Sequence, residues 1–270
     1  MGSESAGTQT KSGSGRGIAI LETAIVEAAF FIVAWYASAH FSGGGWLSKA
    51  AMILLALLGM AAHRSPEYGF TFRNPEKDLK WSLYVLLMIF GLGGAIACLC
   101  ALLGLGELRR ASPADLLGDA LWYLVMVGFA EELFFRGYVQ PRLNEAFTRE
   151  YDSLLGFKCK WHQGTLITAV FYFGLPHILT GVNPFSGRFD LSAQTLLIAA
   201  FACFLGLIFG VMREKTGNIL LPTVAHFSVV YSTLSLFPAV AGGFAAIVAP
   251  MAALFVFFLK PFQDFLSEEF

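Results

Sequence analysis

Charged residues are scarce in this chain: Asp, Glu, Lys and Arg make up 14% of its 270 residues, whereas 56% are hydrophobic. A soluble domain has roughly 25% charged residues, so the shortage argues against an ordinary soluble protein. The formal net charge is −1, and the lack of a basic face to neutralise phosphates argues against nucleic acid as a partner. The chain also lacks an evident internal repeat, and its four cysteines (Cys98, Cys100, Cys159 and Cys203) show no metal-ligand spacing.

Apolar runs of membrane-spanning length occupy most of the chain. They predict an all-α, polytopic membrane protein of about eight transmembrane helices. The predicted spans are about 17–37, 46–62, 81–105, 116–138, 164–180, 192–212, 217–236 and 239–259. Residues 1–16 are predicted to be a disordered tail, 17–260 to form the transmembrane domain, and 261–270 to be a short cytoplasmic tail.

Lysine and arginine are unevenly distributed between the two sides that eight spans would define. With the N-terminus in the cytoplasm, thirteen of these residues are cytoplasmic: Lys11, Arg16, Arg64, Arg73, Lys77, Lys80, Arg142, Arg149, Lys158, Lys160, Arg213, Lys215 and Lys260. Four lie on the other side: Lys49, Arg109, Arg110 and Arg188. Cytoplasmic loops carry the excess of positive charge, so we predict a multi-pass protein of the plasma (inner) membrane with both termini in the cytoplasm.

The fourth predicted span contains three ionisable residues, Glu131, Glu132 and Arg136, in the run GFAEELFFRGYVQPRL. Each costs roughly 2.5–3.5 kcal/mol to insert, so such residues are functional candidates. Glu132 and Arg136 are four residues apart and share a helix face, which predicts an ion pair. Glu131 points about 100° away. We therefore expect one carboxylate to be neutralised and the other to remain unpaired; a purely structural charge cluster is the alternative.

Two histidines also lie in predicted spans, His177 and His226, each close behind a proline. Pro176 and Pro222 each remove a backbone donor, and such a break is tolerated in a membrane where the freed group meets protein or water. We expect a helix distortion beside each histidine. Glu131, His177 and His226 all fall at middle depth in a bilayer about 30 Å thick, which allows them to converge.

These residues support peptide hydrolysis with water as the nucleophile. A carboxylate in an apolar site is a suitable general base, and the histidines can orient the water and stabilise an oxyanion. Glu131, His177 and His226 also match the donor types of a zinc site. The H-E-x-x-H signature of zinc proteases is absent, so zinc stays an open alternative.

The motifs resemble those of the CPBP family, which comprises type II CAAX prenyl endopeptidases and bacteriocin-processing (Abi) proteins. Glu131-Glu132-x-x-x-Arg136 is similar to the first family element, Phe173-x-x-x-His177 to the second, and the run ending at His226 to the start of the third. The similarity covers about residues 115–235.

The resemblance implies a helical intramembrane endopeptidase of the glutamic type, acting near the C-termini of membrane-associated or lipidated proteins, as in CAAX-box protein processing. It implies that Glu131 and His177 activate water, that His226 stabilises the oxyanion, and that Glu132, Arg136 and Phe173 support the site. Its implied partners are membrane lipid and a membrane-bound or lipidated peptide or protein.

The third family element has a polar residue four positions after its histidine, where this chain has Val230. Valine cannot donate a hydrogen bond, and losing one oxyanion donor costs roughly 10²–10³ in rate. The alternatives are substitution by Ser228, Tyr231 or Ser232, reliance on His226 alone, or reduced activity.

Two other function classes remain open at this point. One is a non-catalytic membrane scaffold or immunity protein of the same fold, which Val230 favours. The other is a small-solute or ion transporter, which the absence of an internal repeat disfavours.

Overall fold

The computed structural model describes residues 6–63 and 68–270. In that part, long helices form a bundle, and three antiparallel two-stranded ribbons lie between them. The helices are α1 (Ala6–His40), α2 (Gly44–Ala62), α3 (Pro75–Leu102), α4 (113–146), α5 (Gln163–Gly181), α6 (Ala193–Thr216), α7 (Leu220–Val240), α8 (Phe244–Phe258) and α9 (Lys260–Ser267). The strands are β1 (Gly106–Leu108), β2 (Glu150–Leu154), β3 (Phe157–His162), β4 (Val182–Asn183), β5 (Arg188–Phe189) and β6 (Ala241–Gly243), paired β1 with β6, β2 with β3 and β4 with β5.

Seven helical segments in the described residues are long and apolar enough to cross a membrane: Gly15–His40, Gly44–Ala62, Pro75–Leu102, Gln163–Gly181, Ala193–Thr216, Leu220–Val240 and Phe244–Ser267. They correspond to seven of the eight predicted spans. The remaining predicted span, 116–138, lies within α4, which is helical throughout but is not one of the seven. The chain is an all-α, integral, multi-pass membrane protein, as its composition predicts.

Large apolar side chains cover the outer faces of the bundle. Leu87 of α3, Leu197 of α6 and Phe255 of α8 are all exposed. An apolar surface of this extent is unfavourable in water but not in lipid. The interior is packed mainly around α4, where Phe134 and Tyr138 are fully buried. The helix with the most charge thus lies at the centre of the protein.

Both predicted tails contain helix. Helix α1 begins at Ala6, so residues 6–16 extend the first span, and only residues 1–5 of the predicted tail lie outside the described residues. Extending an existing helix costs less than nucleating one. At the other end, α9 replaces most of the predicted tail 261–270, because Phe262 and Phe265 pack into an aromatic core with Trp81.

The long polar connection after α4 is a β-hairpin, β2–β3, rather than an irregular loop. Its turn uses Leu155 and Gly156, both with positive φ. The β3 residues Cys159 and Trp161 are buried, and β3 packs against α9. Burial raises the pKa of the Cys159 thiol. The hairpin lies at the end of α4 that follows Arg136, away from the cavity described below.

Candidate active site

A buried charge cluster joins α4 to α7. The Arg136 guanidinium donates to Glu132 Oε1 at 3.0 Å, and both side chains are completely buried. His226 Nδ1 lies 2.8 Å from the same oxygen. Ion pairing and hydrogen bonding offset the cost of burying these charges at membrane depth. The predicted Glu132–Arg136 pair is therefore present, and it also fixes one side of the His226 ring.

Aromatic rings and a close helix contact complete the surroundings of Arg136. Its guanidinium lies 4.1 Å from the centroid of the Phe173 ring, a favourable cation–π distance, and it donates to the Gly206 carbonyl at 3.0 Å. A Cβ on residue 206 would lie 2.8 Å from the Phe173 ring, so glycine is needed there for α5 and α6 to approach. Phe209 stacks on the His226 ring with centroids 5.3 Å apart.

Glu131 has a different environment from its neighbour. Its Oε1 lies 2.5 Å from Lys49 Nζ, and the two side chains are only 13% and 16% exposed. Its Oε2 is 3.8 Å from His226 Nε2. The prediction that this carboxylate is unpaired is wrong, because a cation from α2, 82 residues away in sequence, reaches it.

Sequence reasoning missed Lys49, although one signal for it exists. Lys49 is the only charged residue of α2, Gly44–Ala62, and we counted it among the basic residues of the non-cytoplasmic side. The same cost of inserting a charge that singled out Glu131 applies to a lysine five residues inside a helix.

His177 presents one ring nitrogen to the site. Its Nδ1 lies 2.7 Å from the Phe173 carbonyl oxygen. A carbonyl only accepts, so Nδ1 carries a proton, and in the neutral ring Nε2 is left with a lone pair. His177 and Glu131 both line the same cavity. The imidazole is thus held in the tautomer that can accept a proton on its free nitrogen.

The cavity has a volume of about 270 Å³ and lies between α1, α2, α4 and α5. Its walls are largely aromatic, and Glu131, Lys49 and His177 supply its charged and titratable groups together with Arg188 at the rim. The other aromatic and apolar wall residues are Phe30, Phe31, Ala34, Trp35, Met52, Phe135, Tyr172, Phe173, Pro176, Leu179 and Val182. A few polar groups on an apolar wall are typical of a binding or catalytic site.

The two helices that carry Glu131 and His177 are irregular at the site. In α4, π-helical turns at Trp122–Phe129 and Leu133–Val139 flank the short α-helical segment Ala130–Glu132. In α5, a π-helical stretch gives way to a 3₁₀ stretch, Leu175–Gly181, at Pro176. Such turns are frequent at functional sites, and the distortion predicted beside His177 is confirmed.

The distortion predicted beside His226 is not present. Pro222 lies in the first turn of a regular α-helical segment, Leu220–Tyr231. Backbone donors in a first helical turn have no partner within the helix, so a proline there removes nothing that the helix uses. His226 is oriented by Glu132 and Phe209, not by a broken backbone.

None of the three residues considered as replacements for the polar group absent at Val230 is directed to the site. Ser228 donates to the Val224 carbonyl, Ser232 to the Val229 carbonyl, and Tyr231 to the Leu116 carbonyl. Lys49 is the additional donor that does reach Glu131.

The zinc alternative does not fit this arrangement. In the described part of the chain, no group of three His, Cys, Asp or Glu side chains is placed to hold a metal ion. Glu131 already bears the Lys49 ammonium, and His226 Nδ1 is held by Glu132. The three residues proposed as ligands thus have other partners that orient them.

Residues 113–232 match the family model described as type II CAAX prenyl endopeptidase Rce1-like. The matched segment is 120 residues long, a little under half of the chain, so this part of the chain is similar to the family. The matched segment begins with α4 and ends in α7, so it contains Glu131, Glu132, Arg136, His177 and His226. Lys49 lies outside it. Among curated proteins and among solved structures, no significant match is found.

The match to the Rce1-like model agrees with the resemblance seen in the sequence motifs, and the matched family is one of prenyl endopeptidases. The geometry adds which groups touch one another. Glu131 and His177 face the cavity, His226 stands behind Glu131, and Glu132 with Arg136 is sealed in the interior.

Proposed function

We propose that this protein is an intramembrane endopeptidase that hydrolyses a peptide bond near the C-terminus of a membrane-associated or lipidated protein or peptide. The observation that carries the proposal is the presence of Glu131 and His177 in the wall of one largely aromatic cavity, with His226 Nε2 3.8 Å from the Glu131 carboxylate. This combination supplies a base, a proton acceptor and a cationic donor around one point.

In the proposed reaction, a water between Glu131 and His177 attacks the carbonyl carbon of the scissile bond. Its proton passes to the Glu131 carboxylate or to His177 Nε2, which is unprotonated when Nδ1 donates to Phe173. The carbonyl oxygen becomes an oxyanion, the C–N bond then breaks, and the departing amine takes up the proton. No covalent intermediate with the protein forms.

His226 stabilises the oxyanion in this proposal. The Glu132 carboxylate accepts from His226 Nδ1, so Nε2 donates only when the ring is an imidazolium. Arg136 holds the Glu132 carboxylate in place against the His226 ring. Glu132 and Arg136 are positioning residues, since neither faces the cavity.

Lys49 provides the hydrogen-bond donor that this chain lacks because it has Val230 where the family element has a polar residue. Its ammonium lies on Glu131 and has three donors on a flexible stem. Once a substrate carbonyl enters, the same ammonium can donate to the developing oxyanion while remaining close to the carboxylate. This accounts for a charged residue in a span that is otherwise entirely uncharged.

The test compares wild type with Glu131→Gln and His177→Ala in membranes, by sequencing the C-termini of all membrane proteins in cells that produce each variant. We expect C-terminally shortened products that require both residues, with cleavage lowered roughly 10²–10⁴-fold in either variant. Glu145→Gln is the matched control, because Glu145 is a carboxylate of the same helix that pairs with His63 away from the cavity. Identical C-termini in wild type and Glu131→Gln would contradict hydrolysis.

A non-catalytic scaffold or immunity function is the second candidate, favoured by Val230. It predicts that Glu131→Gln leaves the biological effect of the protein intact although the protein is inserted normally. Loss of the effect together with loss of cleavage favours the protease.

A further inference from the structure

The solvent-exposed part of the cavity wall lies at one end of the bundle. Its exposed lining residues are Ser38 at the end of α1, Thr180 at the end of α5 and Arg188 on β5. Asn183 of the β4–β5 ribbon closes one side of this opening and donates to Ser38 Oγ at 2.8 Å. The mouth is thus formed by the connections α1–α2 and α5–α6.

Packed polar contacts close the opposite side of the cavity. Beyond Glu131 along α4, Tyr138 and Arg142 both donate to the Glu22 carboxylate of α1, at 3.1 and 2.8 Å. Gln140 donates to Thr165 Oγ1 at 2.8 Å, linking α4 to α5. Tyr138 is completely buried. A peptide arriving from that end would have to break this layer before reaching Glu131.

A second cavity, of about 700 Å³, lies on the far side of the closing layer and shares no lining residue with the first. Arg73, Lys160 and Arg213 are among its polar lining residues. It does not provide an alternative entrance, because Tyr138 and Gln140 are buried between the two.

The two ends of the bundle differ in positive charge. At the closed end lie Arg73, Lys77, Lys80, Arg142, Arg149, Lys158, Lys160, Arg213, Lys215 and Lys260. At the end with the mouth lie Arg109, Arg110 and Arg188, with Lys49 turned inward to Glu131. Because lysine and arginine are retained on the cytoplasmic side of a membrane, the closed end is the cytoplasmic one.

We propose that the active-site cavity receives its substrate from the non-cytoplasmic side of the membrane. The substrate is then a segment of an exported or membrane-inserted chain that lies on that side, with a bulky apolar residue that fits between Phe30, Trp35 and Phe173. A chain that remains wholly in the cytoplasm is excluded. The identification of the occupant as a substrate rests on the proposed function, but the direction of access does not.

Single cysteines on the two ends test the direction of access. Ser38→Cys lies at the mouth, Ser186→Cys lies in the turn between β4 and β5, and Ser153→Cys on the exposed surface of β2 is the matched control at the closed end. Each full-length variant is treated with a membrane-impermeant maleimide, first in intact cells and then after permeabilisation. The unsubstituted protein, with its four native cysteines, gives the background.

We expect Ser38→Cys and Ser186→Cys to be labelled in intact cells and Ser153→Cys only after permeabilisation. The reverse pattern would overturn the proposal, because the orientation would be inverted. Labelling of Ser186→Cys without Ser38→Cys in intact cells would also overturn it, because the mouth would be closed on that side. So would the absence of labelling at both positions.

Labelling needs no catalysis, so this result is independent of the cleavage assay. Inactive but correctly labelled protein would reject hydrolysis and keep the direction of access. Active protein with the reverse labelling pattern would keep hydrolysis and reject the direction.

Discussion

Two neighbouring carboxylates on α4 occupy opposite kinds of environment. One oxygen of the completely buried Glu132 contacts both Arg136 and His226, whereas Glu131 lines a cavity and contacts the ammonium of Lys49. The two side chains are chemically identical and differ by about 100° around the helix. The direction in which each side chain points therefore separates a carboxylate sealed in the interior from one that faces the cavity.

The largest effect on stability is expected from breaking the buried Glu132–Arg136 ion pair. Arg136→Leu leaves the Glu132 charge without its main partner at membrane depth, which costs roughly 3–5 kcal/mol of unfolding free energy. Thermal unfolding in detergent measures the change, and Glu145→Gln, at a partly exposed carboxylate of the same helix, serves as the control. Equal stability of Arg136→Leu and wild type would show that Glu132 does not depend on Arg136.

A double substitution separates the effect of an unpaired buried charge from the effect of losing the ion pair. In Glu132→Leu/Arg136→Leu both charges are removed, so we expect part of the stability lost in Arg136→Leu to return, since apolar replacement of a buried ion pair is often tolerated. Cleavage should stay absent, because His226 loses the acceptor that orients its Nδ1. Recovery of cleavage would remove Glu132 from the list of positioning residues.

On the cavity side, Lys49→Met should lower kcat by about 10²-fold through loss of an oxyanion donor. Lys49→Arg keeps a donor and should retain more activity. A rise in KM alone, with kcat unchanged, would mean that Lys49 only binds substrate.

Val230→Asn tests whether Lys49 stands in for the polar residue of the family. Introduced into Lys49→Met, it should restore roughly tenfold of the lost kcat, because the amide supplies a donor one helical turn after His226. The same change in the wild-type background should have a smaller effect. Equal effects in both backgrounds would mean that the two positions act independently.

The smallest effect concerns the C-terminal helix α9, far from both carboxylates. Trp81 Nε1 and Lys80 Nζ donate to Glu268. Burial raises the pKa of Glu268, but these hydrogen bonds outweigh it and hold that pKa below its ordinary value. The stabilisation is present above the unfolded-state pKa and is lost as pH falls through the folded-state pKa.

Glu268→Gln should therefore cost roughly 0.2–1 kcal/mol at neutral pH and remove part of the acid sensitivity of unfolding. Cleavage by Glu268→Gln should equal that of wild type. A large loss of cleavage would show that α9 influences the cavity.

The sequence predicts those parts of the molecule that depend on local periodicity. Membrane helices follow from apolar runs, and the Glu132–Arg136 pair follows from a four-residue spacing on one helix. The residues named by the resemblance to the family lie close together in the fold, including Phe173 beneath Arg136. Their catalytic roles remain proposals.

The features that could not be predicted depend on contacts between residues distant in sequence. The Lys49–Glu131 pair joins positions 82 residues apart, and no spacing within α2 reveals its partner. The docking of α9 requires an aromatic core contributed by separate segments, including Trp81 and Phe257. The helix distortion predicted at Pro222 is wrong because the helix begins at Leu220, which places the proline in its first turn.

The single oxygen of Glu132 shared by Arg136 and His226 restricts how this protein can diverge. Replacing Glu132 removes the acceptor that Arg136 and His226 share, and replacing Arg136 leaves the buried Glu132 charge without its main partner. A substitution of Glu132 or Arg136 is therefore expected to need a compensating change at the other position. Because Glu132 Oε1 contacts residues of both α4 and α7, substitutions in these two helices are expected to depend on one another.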